Sequence, residues 1–254
     1  MTYLIEARAL RIEFGGLVAV DDVDMQIETG EIRGLIGPNG SGKTTLLNLM
    51  SGWLRPRSGE LLWKDQHVTR QSHYRLARLG IGRTFQLGAL FEEMTCLQNV
   101  SMSLYASTPW NPVAGILGLR SEGRRGATIE QQAVSLLELM DILDVRDELA
   151  GSLPLGYRRW LAMAMALSIE PELLMLDEPL GGMNPVEKTA TMARVTGLAE
   201  HGVTILLVEH DMNAVMGFCN RVSVLNAGQK IAEGSPEEVR ADQRVIDAYL
   251  GGEE

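Results

Sequence analysis

The chain has 254 residues, 45% of them hydrophobic and 22% charged, with a net charge of −10. That length buries one substantial core, or one domain with a subdomain, and the acidic balance argues against a nucleic-acid binder, which carries a basic face. No apolar stretch approaches the roughly 20 residues of a spanning helix, so any link to a membrane is expected to come through a partner.

The N-terminus, MTYLIEARALRIEF, alternates like a strand and lacks the regions of a signal peptide. Leu4–Phe14, Val23–Ile27 and Leu61–Trp63 have β character and are separated by Gly15-Gly16, Gly30 and Ser58-Gly59. Between the second and third of these, Ile32–Ile36 reads as a strand and Thr44–Met50 as a helix. The residues joining them, Gly37 to Thr44, read GPNGSGKT, the pattern G-x-x-x-x-G-K-[ST] in the strand-to-helix context it requires. Its glycines let backbone N–H groups face phosphates, and the helix N-terminus adds positive potential. Gly37, Pro38, Asn39, Gly40, Ser41, Gly42, Lys43, Thr44 and Thr45 are therefore candidate ATP-binding residues. Lys43 is expected to reach the β- and γ-phosphates, and the Thr44 hydroxyl to hold Mg²⁺.

From Leu104 to Thr128 the chain is rich in Gly and Pro, with an apolar patch around Trp110 and a basic cluster of Arg120, Arg124 and Arg125. It reads as a surface loop, solvated or held against a partner or membrane. Ala133–Leu143 carries apolar residues at helical spacing, and Tyr157–Ile169 is a second helical stretch. Four apolar residues, Leu173–Leu176, then read as a buried parallel strand. Asp177 emerges at its C-terminal end, where open α/β sheets bind ligands. Its carboxylate suits Mg²⁺, directly or through water, and Glu178 is free to orient or deprotonate a water. Together with the phosphate loop, these acids predict an ATPase.

Asn184-Pro185-Val186-Glu187 and Ser235-Pro236-Glu237-Glu238 are capping boxes with proline at the first helical position. Strands Val203–Val208 and Val222–Leu225 alternate with these helices, which favours a mainly parallel sheet covered on both faces. Cys96 and Cys219 have no metal spacing and read as free thiols of a reducing cytoplasm. The methionines of the periodic runs read as core filling. His67, His73 and His201 lie among polar residues and read as surface; His210 differs, because it follows a buried strand at the phosphate end of the sheet.

The phosphate loop, Gln86 after IGRTFQ, the turn and helix LPLGYRRWLAMAMAL, LDEP and LLVEHDM occur in the order of ABC-transporter ATPase subunits, and the resemblance runs over nearly the whole chain. IEFGGLVAVDDV, IGRTFQLGALFEEMTCLQNV, EPLGGMNP, the run from Val208 to Val239 and the ending IDAYLGGEE look most like the ATPases of branched-chain amino-acid importers. The resemblance implies an α/β P-loop ABC ATPase fold with a mainly parallel core sheet, a small N-terminal antiparallel β subdomain and an inserted helical subdomain. All of 1–254 would form one such domain, with the helical subdomain near 87–168 and an insert at 105–127. It implies that His210 contacts the γ-phosphate and that Gln86, otherwise a loop amide, is a ligand of Mg²⁺ and water. Phe14 falls where the family stacks adenine on an aromatic ring; the alternative is a core phenylalanine.

Leu153-Pro154-Leu155-Gly156-Tyr157 occupies the place of the family's L-S-G-G-Q signature loop, which caps ATP held by the other subunit. Here Pro154 removes the serine contact, and Gly156 keeps the close backbone approach. Asn184 stands where many relatives carry aspartate at the dimer interface. The implied assembly is a peripheral subunit on the cytoplasmic face of the inner membrane. It would pair with a second ATPase, most often as a heterodimer, and with permease subunits, and would serve a substrate-binding protein indirectly. The competing readings are a lipopolysaccharide-transport ATPase, a soluble ABC protein, which would predict two cassettes or a coiled-coil insertion, and a pseudo-ATPase, which would predict loss of Lys43 or Glu178.

Overall fold

The computed structural model describes residues 3–84, 90–107, 120–210 and 212–250, with backbone alone at 120–125, 213, 214 and 250. Gly15 and Gly16, both at positive φ, fold the N-terminus into a hairpin whose two-residue turn needs that conformation. It joins β1 (Ile5–Phe14) to β2 (Leu17–Ile27), pairing Phe14 with Leu17 and Ile5 with Ile27. With β4 (Ser58–Trp63) and β5 (Gln66–His67) these strands form an antiparallel sheet in the order β2-β1-β4-β5.

A second sheet has the order β10-β9-β3-β8-β7-β6. Its strands are β3 (Ile32–Ile36), β6 (Ile81–Arg83), β7 (Leu173–Asp177), β8 (Thr204–Val208), β9 (Arg221–Asn226) and β10 (Gln229–Gly234). Every pairing is parallel except β9 with β10. Ala227 and Gly228 at positive φ turn that last hairpin. Residues of β3, β7 and β8 are buried throughout, which explains their uninterrupted apolar runs. Leu35 pairs with Val208 and Asp177 also pairs with Val208, so the C-terminal ends of these three strands lie level.

Helices follow as α1 (Lys43–Met50), α2 (His73–Arg78), α3 (Cys96–Ser107), α4 (Arg120–Leu139) and α5 (Leu155–Ala166). Then come α6 (Pro185–Glu200), α7 (Met212–Met216), α8 (Pro236–Ala241) and α9 (Gln243–Leu250). Both expected capping boxes form: Asn184 accepts from the Val186 and Glu187 amides, and Ser235 from the Glu238 amide. One core joins the apolar faces of β1, β2 and β4 to Leu46, Leu47, Leu49 and Met50 of α1 and to β3, β7 and β8. Met163, Met175, Met192 and Met216 are buried as core filling, and Cys96 and Cys219 are buried free thiols, pushed up by burial to about 11 and about 12.

The chain clusters into two compact units, one of Met1–Arg83 with Glu172–Glu254 and one of Thr84–Pro171. The second contains α3, α4 and α5, and differs from the expectation in two places. The stretch expected as a loop is helical at both ends, since α3 runs to Ser107 and α4 begins at Arg120. Arg, Glu, Gln and Ala outweigh Gly123 and Gly126 there, each glycine costing about 1 kcal/mol relative to alanine. The insert's centre, residues 108–119 with Trp110, lies outside the described residues. The helix expected to end at Leu143 stops at Leu139, and Asp141 then turns left-handed, a conformation its short polar side chain tolerates.

Arg33 in β3 is a feature of the core that periodicity did not flag. Its side chain is 1% exposed and donates to Glu31 (2.9 Å), Glu233 (2.6 Å), Ser223 (3.3 Å) and the Gln26 carbonyl (2.6 Å). Burial works to raise the Glu233 pKa, but Lys230 and Arg33 outweigh it and hold the carboxyl below its ordinary value. Arg33→Met leaves the buried Glu31 without its cation and takes one of three cations from the part-buried Glu233, which keeps Lys230 and Arg221, so we expect a loss of about 3–5 kcal/mol, read as a lower denaturant midpoint at unchanged slope. Because the folded pKa of Glu233 is depressed, its contribution is present above the unfolded value and fades as pH falls through the folded one. The variant's deficit should therefore shrink in acid.

Candidate functional site

The loop from Gly37 to Gly42 leaves β3 between two walls. A Cβ on Gly42, which sits at φ 102°, would lie 2.4 Å from the Ala19 carbonyl, and one on Gly37 would lie 2.1 Å from that of Leu225. Neither position admits a side chain. The Gly228 amide of the β9–β10 turn donates to Ser41 O (3.0 Å) and braces the loop from outside. The Tyr249 hydroxyl of α9 is buried, and burial pushes its pKa up to about 12 against the pull of the Gly37 amide. The first intrahelical bond of α1 runs from Leu46 N–H to Gly42 C=O (2.8 Å), and no side chain caps the helix. The amides before Leu46 are the donors a helix start leaves unpaired.

Lys43 is buried with its Nζ donating to the carbonyls of Gly37 (2.8 Å) and Pro38 (3.0 Å). Burial lowers its pKa, while Glu178, Glu209 and Asp177 pull the other way. Ser41 Oγ is buried without a hydrogen-bond partner among the described residues, an arrangement that costs free energy unless a ligand completes it. An orphaned hydroxyl, a cradle of glycines and an ammonium curled over it fit a polyphosphate.

At the level ends of β7 and β8 the acids and the histidine come together. Asp177 is buried, and its Oδ2 accepts from Arg83 Nη2 (2.9 Å). Arg83 also donates to Asn48 Oδ1 (2.6 Å) and Ser51 Oγ (3.1 Å) of the α1 end. Glu178 has φ 47° and is held by its N–H to the Val208 carbonyl (2.9 Å). Glu178 Oε1 lies 3.7 Å from His210 Nδ1, and both side chains are partly exposed. Carboxylate and hydroxyl oxygens suit Mg²⁺; with Asp177 Oδ2 engaged by Arg83, Oδ1 is the oxygen left for a metal.

Phe14 ends β1 at 47% exposure and is not a core residue. Thr44 is exposed and Thr45 partly so. Gln86 lies outside the described residues. The stretch Leu153–Tyr157 belongs to the second unit, where Pro154 is the exposed N-cap of α5 without a side-chain cap and Gly156 is buried. Asn184 is exposed and spends Oδ1 on its helix cap.

Two residues at this end of the sheet escaped the sequence reading. Arg83 stood inside IGRTFQ without a role. Glu209 directly follows the expected strand Val203–Val208 and carries no role in the motif LLVEHDM, yet it is fully buried.

A family model described as ABC transporter matches residues 20–181. The chain belongs to the ABC transporter ATP-binding family. A second model, for the branched-chain amino acid ATP-binding cassette transporter, matches residues 229–254 of the cassette. The high-affinity branched-chain amino acid transport ATP-binding protein LivG of Escherichia coli strain K12 is 39% identical over 98% of both chains. BraF of Pseudomonas aeruginosa, of the same description, is 36% identical over 98% of both. The lipopolysaccharide export system ATP-binding protein LptB of Acidithiobacillus ferridurans is 31% identical over 99% of this chain and 98% of its own. Among solved structures, the ADP conformation of MJ1267, an ATP-binding cassette of an ABC transporter, superposes with a TM-score of 0.86 at 27% identity, over 99% of this cassette and 100% of that chain. This cassette is thus an ATP-hydrolysing subunit of an ABC transporter. No helix among its described residues is long and apolar enough to cross a membrane.

Proposed function

We propose that this cassette powers import of branched-chain or related amino acids through separate permease subunits. The observation that carries the substrate class is the match of the C-terminal segment, 229–254, to the branched-chain transporter model. LptB supports a second reading, lipopolysaccharide transport, at lower identity than LivG. Cells lacking this chain should lose uptake of labelled leucine, isoleucine and valine and keep lipopolysaccharide at their surface. Intact uptake with lost surface lipopolysaccharide would establish the second reading.

In the proposed mechanism the amides from Gly37 to Thr45 and Lys43 cradle the ATP phosphates, and Phe14 stacks the adenine. Thr44, Asp177 and Gln86 would hold Mg²⁺, which when bound neutralises charge on the β- and γ-phosphates. Arg83 holds one oxygen of the Asp177 carboxylate through its hydrogen bond to Oδ2. Glu178 accepts the proton of the attacking water, and His210 beside it steadies the γ-phosphate. Two cassettes close head to tail around ATP, this one most often with a related partner. Leu153–Tyr157 then covers the partner's nucleotide, Gly156 by backbone approach and Pro154 without a hydroxyl, while Asn184 adds an interface contact. The assembly would lie on the cytoplasmic face of the inner membrane, receiving cargo through a substrate-binding protein and the permease. The helical subdomain near 87–168, with its insert at 105–127, would meet that permease.

A further inference from the structure

Glu209 is a buried acid for which the mechanism above has no use. Its backbone N–H donates to the Leu35 carbonyl (3.1 Å), two residues before the phosphate loop. Its side chain turns inward, and Oε1 accepts from the Leu180 amide (2.8 Å). Oε2 is buried, has no hydrogen-bond partner among the described residues, and lies 3.9 Å from His210 Nδ1. A carboxyl in that position carries a desolvation cost that ordinary strand packing would avoid.

What it grips is the turn of the hydrolysis residue. Glu178 is left-handed at φ 47°, a conformation that costs a residue with a Cβ about 1–3 kcal/mol and persists only where the surroundings impose it. On one side its own N–H is bound to the Val208 carbonyl, and its carbonyl accepts weakly from Gly181 N–H (3.3 Å). Pro179 has no N–H, so the Leu180 amide is the first donor after Glu178 by which the turn can be held. Glu209 holds it.

We propose that Glu209 is a positioning residue whose buried carboxyl clamps the Leu180 amide. The clamp keeps Glu178 in its left-handed geometry beside His210 and ties the turn after β7 to the strand that leads into the phosphate loop. The proposal rests on the reading of Glu178 as the acceptor of the water's proton. It requires an acceptor atom at the reach of a glutamate, and it does not require a charge.

Three variants of the full chain test it: Glu209→Gln, which keeps the acceptor; Glu209→Asp, which keeps the carboxyl but draws it back; and Glu209→Leu, which removes it. The readouts are hydrogen exchange at the Leu180 amide, affinity for ATP and kcat. Glu209→Gln should stay within about threefold of wild type in all three. Glu209→Asp should speed Leu180 exchange and lower kcat by about tenfold or more, with ATP affinity within about threefold, the pattern of a lost transition-state interaction. Glu209→Leu should match it, and where Glu209→Leu fails to fold, the contrast of Asp with Gln decides. Unchanged Leu180 exchange in Glu209→Asp, or loss of kcat in Glu209→Gln equal to that in Glu209→Asp, would overturn the clamp. Faster Leu180 exchange with unchanged kcat would overturn the positioning role of Glu209, whereas the role given to Glu178 stands or falls with hydrolysis by Glu178→Gln.

Discussion

Glu178→Gln is expected to bind ATP as the wild type does and to hydrolyse it at about a hundredth of the rate or less. The amide is nearly the same shape, so the turn held by Val208 and the approach to His210 (3.7 Å from Glu178 Oε1) should persist. It cannot accept the proton of the attacking water, and general-base assistance is worth roughly 10²–10⁴ in rate. ATP held without turnover should also leave cassettes paired, which gel filtration with ATP and Mg²⁺ would detect. Hydrolysis near the wild-type rate would remove Glu178 from this role.

Lys43→Ala should fail differently, at binding. The Nζ that donates to the Gly37 and Pro38 carbonyls is the cation of the cradle, and with ATP present it is expected to turn to the phosphate oxygens. A hydrogen bond to a charged group contributes about 1.5–3 kcal/mol, so losing one weakens ATP by roughly tenfold to a hundredfold. Titration with a fluorescent ATP analogue measures this directly. An affinity equal to that of Glu178→Gln would show that the loop backbone alone holds the phosphates.

Much of the frame was legible because it rests on local rules. The turn at Gly15-Gly16, the capping boxes at Asn184 and Ser235, and the apolar strands from Leu173 and Thr204 each follow from backbone conformation or burial, and each forms where expected. The convergence of Lys43, Asp177, Glu178 and His210 followed from strand ends lying level in a parallel sheet. What stayed hidden was long-range and polar. Arg33, Arg83 and Glu209 find their partners on strands or turns far away in sequence. A charged letter ending an apolar run looks the same whether its side chain faces water or turns inward. Arg120 to Ala127 misled for the opposite reason: glycines suggested a loop where the neighbouring residues carry a helix.

The seam between β6 and β7 has a consequence for how such a chain can change over time. The chain departs after Arg83 and comes back at Glu172, whose amide is bonded to the Gly80 carbonyl (2.9 Å) on the departing strand. Exit and return are thus separated by only the three residues of β6, about 10 Å at the rise of a strand. A segment joined through so narrow a gate can lengthen, shorten or be exchanged for another without shifting the register of Ile81 with Leu173. The register that sets Asp177 and Glu178 level with His210 is therefore insulated from changes of length in the stretch between Gln86 and Leu153, the two places in that segment that the proposed mechanism uses. New partners can be acquired there while the chemistry stays fixed.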